Sequence, residues 1–171
     1  MMVEVKIDSV RVSLMSQHRL VVLREGDSPR FLPIWIGPFE ADAIIVKLQG
    51  VEITRPLTHD LLENTIEKLG AEIERVAITE LRDDTFYAEL ILRVDGRRMA
   101  IDCRPSDAIA LAVRARVPIY VADVIFEQAG ISPEPDLEGM TAGETSGDAA
   151  QAEAPEAFRD FLAGLDLTGF K

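Results

Sequence analysis

Cysteine is almost missing from this chain. Among 171 residues only Cys103 carries a thiol, which excludes an intramolecular disulfide and any four-cysteine zinc site. Basic charge is also in short supply. Thirty acids stand against 18 bases, a net of −12, and that excess argues against a protein that coats nucleic acid by bulk electrostatics. No apolar run approaches the roughly 18 residues of a membrane helix. Met1-Met2-Val3-Glu4-Val5-Lys6 lacks the apolar centre of a signal peptide, so a soluble, cytoplasmic protein is expected. A glycine-rich phosphate loop, a nucleophile elbow, a His-x-x-x-His pair and a Cys-x-x-Cys pair are all absent. The sequence therefore carries none of those ready-made catalytic or metal signatures.

Apolar residues, by contrast, are plentiful at 47%, enough to exclude a wholly disordered chain. The length fits about one domain. Acid is unevenly spread. From Ser132 onward nine acids and two bases account for −7, leaving −5 on everything before. That division coincides with a change of composition. Residues 1–131 are expected to form the main domain. Residues 132–155, rich in Gly, Ala, Glu, Pro, Ser and Thr, read as an acidic flexible linker. Within 156–171, Phe158, Phe161, Leu162 and Leu165 recur at helical spacing behind Pro155, which predicts a short amphipathic helix.

Inside the main domain the apolar period changes repeatedly. Val3, Val5 and Ile7, then Val10, Val12 and Leu14, alternate with polar residues. The phase slips near Asp8-Ser9, the signature of a bulged strand. Leu20–Leu23 and Phe31–Ile36 give two more strands. From Phe39 to Leu48 the spacing becomes helical, with Gly50 just past the end. A second helix is expected behind Thr58 as its cap, with Leu61, Leu62, Thr65, Ile66 and Leu69 on one face and Gly70 at its close. Three strand-like stretches follow, around Ile73–Ile78, Phe86–Val94 and Arg97–Cys103. Asp95-Gly96 between the last two is a hairpin turn signal. A third helix runs from Arg104-Pro105-Ser106-Asp107 to Arg116, then a short strand at Pro118–Val121 and a last short helix ending at Gly130. Strands come in groups, with helices between the groups. This predicts an α+β domain of mostly antiparallel strands with three to four helices.

Two helix starts rhyme. Arg55-Pro56-Leu57-Thr58-His59-Asp60 and Arg104-Pro105-Ser106-Asp107 each combine an arginine, a proline, a hydroxyl and an acid. Free N–H groups and the positive helix end favour an anion there, and an arginine can fork onto a phosphate. Arg55, Arg104 and Ser106 are thus candidate substrate-binding residues. His59, Asp60 and Asp107 are candidate catalytic residues, because an imidazole and carboxylates are the groups that move protons. Asp102, at a strand end, and Glu40, in the first turn of a helix, are candidate ligands for Mg or Mn, hard cations that prefer carboxylate oxygen. Each residue also has a structural explanation: caps for Thr58 and Ser106, dipole partners for the acids, ion pairs for the arginines. His18 reads as an exposed turn residue and Cys103 as an inert buried thiol.

Several of these segments resemble a known family. Leu32-Pro33-Ile34-Trp35-Ile36-Gly37 with Glu40-Ala41, Arg55 to Leu62, Thr85-Phe86-Tyr87-Ala88, and Asp102 to Ala112 are similar, in order and spacing, to the motifs of the bifunctional nucleases. The resemblance runs from about Val3 to Ile131. Cys103 stands where the family pattern has a small alanine. The resemblance implies a compact α+β domain, commonly self-associating, that cuts both DNA and RNA, with nucleic acid as substrate and no membrane association. Phosphodiester hydrolysis calls for a divalent metal or a base, plus cations for the developing charge, and the leading expectation is a divalent-metal-dependent nuclease acting on DNA or RNA. The rival is a non-catalytic regulatory module that holds an anion or a partner's carboxylates at the two arginine-marked helix starts. A third explanation makes those starts purely structural corners of an oligomer.

Overall fold

A computed structural model describes residues 1–12, 18–26 and 28–132. Past residue 132, the expected linker and terminal helix lie outside the described residues. Seven strands form one sheet: β1 (Met2–Val12), β2 (Arg19–Glu25), β3 (Phe31–Ile36), β4 (Ala71–Arg82), β5 (Thr85–Val94), β6 (Arg97–Cys103) and β7 (Ile119–Ala122). Among the described residues four helices accompany them: α1 (Pro38–Leu48), α2 (Thr58–Lys68), α3 (Pro105–Ala115) and α4 (Asp123–Ala129). The strand order is β3-β2-β1-β7-β4-β5-β6. Pairing is antiparallel except where β7 lies parallel to β4, so the α+β expectation holds. Among the described residues no helix is long and apolar enough to cross a membrane.

Local sequence explains most of these elements. The slip in alternation near Ser9 is a real bulge: Ile7 pairs with Leu23, Ser9 with Val22. It keeps Val5, Ile7 and Val10 on the core side. Asp95-Gly96 turns β5 into β6 with both residues at positive φ, the backbone twist that suits a two-residue hairpin. The β4–β5 turn does the same with Asp83-Asp84, at φ 49° and 57°, although neither residue is glycine. The core gathers Leu23, Leu32, Ile44, Ile78, Ile109, Leu111 and Ile125, all fully buried. At roughly 1.5–3 kcal/mol per large side chain, that burial is the main stabilising force.

Two helix starts differ from expectation. In α2 the cap is Leu57, not Thr58, because the Asp60 carboxylate accepts the Leu57 N–H at 2.9 Å and leaves the threonine hydroxyl no capping task. In α3 the cap is Arg104, with Pro105 in the first turn. Proline has no N–H to lose there and a φ already set for a helix. Ser106 therefore sits inside the helix and does not cap it. The expected apolar face of α2 is also corrected. Only Ile66 of that stripe is buried, while Leu61 and Leu69 are 61% and 79% exposed. The side of α2 turned toward α3 carries His59, Asp60, Glu63 and Ile66, which share one helical face by spacing. Polar contacts anchor this helix more than apolar burial does.

The sheet curls. Its edge strand β3 contacts α4, which also packs on β4 and β7. Phe31 and Ile131 exchange two backbone hydrogen bonds of 2.8 Å, and Arg30 bridges Glu25 and Asp123. The curl brings the end of β3 near the β4–β5 turn and the start of α3, where they enclose a cleft.

Candidate active site

The first turns of α2 and α3 meet. His59 Nε2 lies 3.0 Å from Asp107 Oδ1, across 48 positions of sequence. The Arg104 guanidinium forks onto the same carboxylate, Nε to Oδ2 at 2.7 Å and Nη2 to Oδ1 at 3.0 Å. Its Nη1 reaches Glu40 Oε1 at 2.8 Å. Four side chains from three helices thus form one chain, His59–Asp107–Arg104–Glu40. Burial pushes the Asp107 carboxyl up, but the hydrogen bonds from Arg104 and His59 outweigh it and hold the group below its ordinary value. Asp107 is a carboxylate at neutral pH. An imidazole whose Nε2–H donates to that carboxylate presents its Nδ1 lone pair as a base. Of the five guanidinium N–H groups of Arg104, three are engaged by these acids. Two remain, on a side chain 64% exposed.

Glu40 is held tightly. Its carboxylate folds over the start of α1, and a Cβ added to Gly37 would strike it. A side chain at Gly37 would displace the Glu40 carboxylate from this position, although the φ of −70° suits any residue. Asp60, by contrast, belongs to a separate contact. Oδ1 accepts from Arg114 Nε at 2.8 Å while Oδ2 takes the Leu57 N–H. Arg114 also donates to the Ala43 and Ala110 carbonyls, and its side chain is 1% exposed. This arginine ties α1, α2 and α3 together. Sequence reasoning missed it. The available signal was a cation embedded among the Ala, Leu and Val of α3.

The remaining candidates lie elsewhere. Arg55 is exposed and makes no hydrogen bond or ion pair among the described residues. Asp102 pairs with Glu89 in the β5–β6 ladder, one residue out of phase with Ile101 and Cys103. It therefore points to the sheet face opposite the helices. Ser106 is 6% exposed and lines the cleft. Burial, followed by the charges of Asp107 and Asp102, raises the Cys103 thiol to about 11, so it is not a nucleophile at neutral pH. The donor set does not form a protein cage for Mg or Mn. Among the described residues no group of three or more His, Cys, Asp or Glu side chains could hold a metal ion. The Arg104 guanidinium already occupies the place between Glu40 and Asp107 that a dication would take.

The cleft itself, about 290 Å³, lies between Ile34–Gly37, Asp84–Phe86 and Arg104–Ser106. Trp35 and Phe86 are on its walls. Sequence reasoning gave neither aromatic a role, and the lone tryptophan within a quoted motif was the unused signal.

Comparison with known proteins adds a family. The model of the bifunctional nuclease domain matches residues 21–134. An uncharacterized protein of Mycobacterium tuberculosis is 41% identical over 170 residues, 98% of both chains. Bifunctional nuclease 2 of Oryza sativa subsp. japonica is 34% identical over 135 residues, 77% of this chain and 42% of the rice protein. Bifunctional nuclease 2 of Arabidopsis thaliana is 32% identical over 108 residues, 61% and 33% of the respective chains. The match thus spans less than half of each plant protein.

Proposed function

The chain belongs to the bifunctional nuclease domain family, and we propose that it hydrolyses phosphodiester bonds in DNA or RNA at the His59–Asp107–Arg104 network. The observation that carries this reading is the 3.0 Å contact between His59 and Asp107. It places an oriented base beside a guanidinium with donors to spare. In the proposed step His59 Nδ1 takes the proton of the attacking water. The oxygen bonds to phosphorus, the P–O bond to the leaving oxygen breaks, and that oxygen takes a proton from solvent. The two remaining N–H groups of Arg104 and the positive end of α3 stabilise the charge gathering on the non-bridging oxygens. No step is routed through a metal. Cleavage is therefore expected to survive dialysis against a chelator. Abolition by the chelator, with recovery on added Mg alone, would show that this mechanism is incomplete.

His59→Ala and Asp107→Asn should each slow cleavage about tenfold or more, which corresponds to about 1.4 kcal/mol of barrier. Unchanged rates in both variants, with fold intact by circular dichroism, would overturn the assignment. One observation favours the purely structural explanation of these helix starts: protein carboxylates already take three N–H groups of Arg104. Discrete anion binding by a protein that cuts nothing would support the rival binding module.

We also propose that the domain self-associates. Leu61 and Leu62 of α2, with Leu69 just past its end and Val51 and Ile53 before it, are exposed, and large apolar residues grouped on a surface mark contact sites.

A further inference from the structure

The cleft beside the network has the composition of a nucleotide subsite. Its walls come from three separated stretches, the end of β3, the β4–β5 turn and the start of α3. Phe86 supplies aromatic surface, Trp35 borders the cleft with the His18 ring edge-on to it at 5.6 Å between centroids, and Arg104 supplies positive charge opposite Asp84. Ser106 is more than nine-tenths buried, and its hydroxyl finds no hydrogen-bond partner among the described residues. Yet the oxygen is not among the sealed polar atoms without a partner, so it opens onto the cleft that the residue lines. The start of α3 is also open. Arg104 caps it without a side-chain hydrogen bond, and the Ser106 and Asp107 N–H groups precede the first intrahelical donor, Ala108. A buried hydroxyl, two backbone donors and a guanidinium thus converge next to aromatic walls. Such donors match a phosphate, and such walls match the face of a base.

We propose that this cleft holds one unpaired nucleotide, its base against Trp35 and Phe86 and its phosphate on the Ser106 hydroxyl and the open start of α3. The proposal deepens the nuclease reading and rests on it. The size selects the ligand. A volume of about 290 Å³ is at the lower end for small-molecule sites, enough for a single nucleotide and too little for a base pair. A duplex also keeps its base faces stacked internally, so it offers no face to Trp35. The subsite therefore favours single strands with little regard for base identity, because every base has a face to stack.

Trp35 is the only tryptophan of the chain, so intrinsic emission reports this position alone. The full-length His59→Ala protein is titrated with a short oligothymidylate, a blunt duplex of equal length, thymidine monophosphate and inorganic phosphate. The expected result is saturable quenching by the oligonucleotide, about tenfold or more weaker affinity for the duplex, and competition by phosphate. Ser106→Ala should weaken the oligonucleotide about tenfold without changing the quench at saturation. In the otherwise native protein, Trp35→Leu should raise KM for single strands with little change in kcat, and Trp35→Phe should restore most of the loss. Three results would overturn the proposal: binding seen by anisotropy of a labelled strand with no change in Trp35 emission; equal affinity for the duplex; or no binding by any probe. A strand that binds and quenches yet is never cut by the native protein would instead overturn the nuclease reading and leave the subsite standing.

Discussion

Arg114 shows how much one side chain can carry. It is enclosed, it neutralises Asp60, and it satisfies two main-chain carbonyls. Removing it leaves the Asp60 carboxylate without its cation, while both carbonyls keep only their helical N–H donors, and breaking such a buried pair costs about 3–5 kcal/mol. Arg114→Leu is expected to lose that much stability in a urea titration. Lysine is no rescue, since one ammonium cannot reproduce the planar fork. Asp60→Asn should cost less, because the amide oxygen can still accept from Arg114. Two carboxyl groups make opposite contributions to pH dependence. Asp107 is held below its ordinary value, so the stability it adds is complete above the usual carboxylate range and is lost as pH falls through its lowered value. Asp107→Asn should flatten the acid limb of the stability curve. Burial, then the Glu67 charge, push Glu63 up. The folded state holds that proton more readily than the unfolded chain, so stability declines as pH rises through the interval between the two values. Glu63→Gln is expected to raise Tm at neutral pH, with the gain gone in acid.

At the scale of elements, α2 is the exposed one. Its contacts with α3 are largely polar, and only Ile66 is buried. Amide hydrogen exchange over 58–68 should be faster than over α3 in the native protein. It should accelerate further in Asp60→Ala, while β4 and β5 keep their protection. Equal protection of α2 and α3 would show that the exposed leucines are covered in solution. The same helix shows where sequence pattern stops being sufficient. Strand alternation was legible at β1, down to its bulge, and so was the turn at Asp95-Gly96, because both depend on neighbours in the chain. The face that α2 turns inward was not, because its apolar positions and its polar positions both recur at helical spacing. Which set packs is decided by Asp107 and Arg114, about 50 residues away. The candidate site divides in the same way. The types of group were legible in two rhyming motifs, but their partners were not. His59 meets Asp107, whereas Asp60 turns to Arg114 and Arg55 to neither. Trp35 and Phe86 become neighbours of Arg104 only through the curl of the sheet.

On the scale of the whole molecule, charge and apolar surface set the expectations. The exposed leucines of α2, and Met99 and Ile101 on the edge strand β6, leave apolar surface and a strand edge open to a second copy. Sedimentation at micromolar concentration should show an assembly that Leu61→Glu with Leu69→Glu dissociates. A monomeric native protein would refute this. Residues past 132 carry most of the net negative charge. Their removal should strengthen nucleic-acid binding at low salt and change little at high salt, where screening falls to a few ångströms. Equal binding with and without them at low salt would remove any role in substrate access.

The curled sheet has a consequence in time. The cleft draws its walls from residues 34–37, 84–86 and 104–106, and the base meets its carboxylate across 48 positions. None of these groups can be assembled by a fragment of the chain. Loop closure must precede every contact, which makes such topologies slow to form. During synthesis the cleft and the His59–Asp107 contact are therefore expected to form only once residues 104–107 have joined the fold. Refolding from urea should regain cleavage with the same rate constant as the Trp35 signal, and no earlier phase should cut nucleic acid.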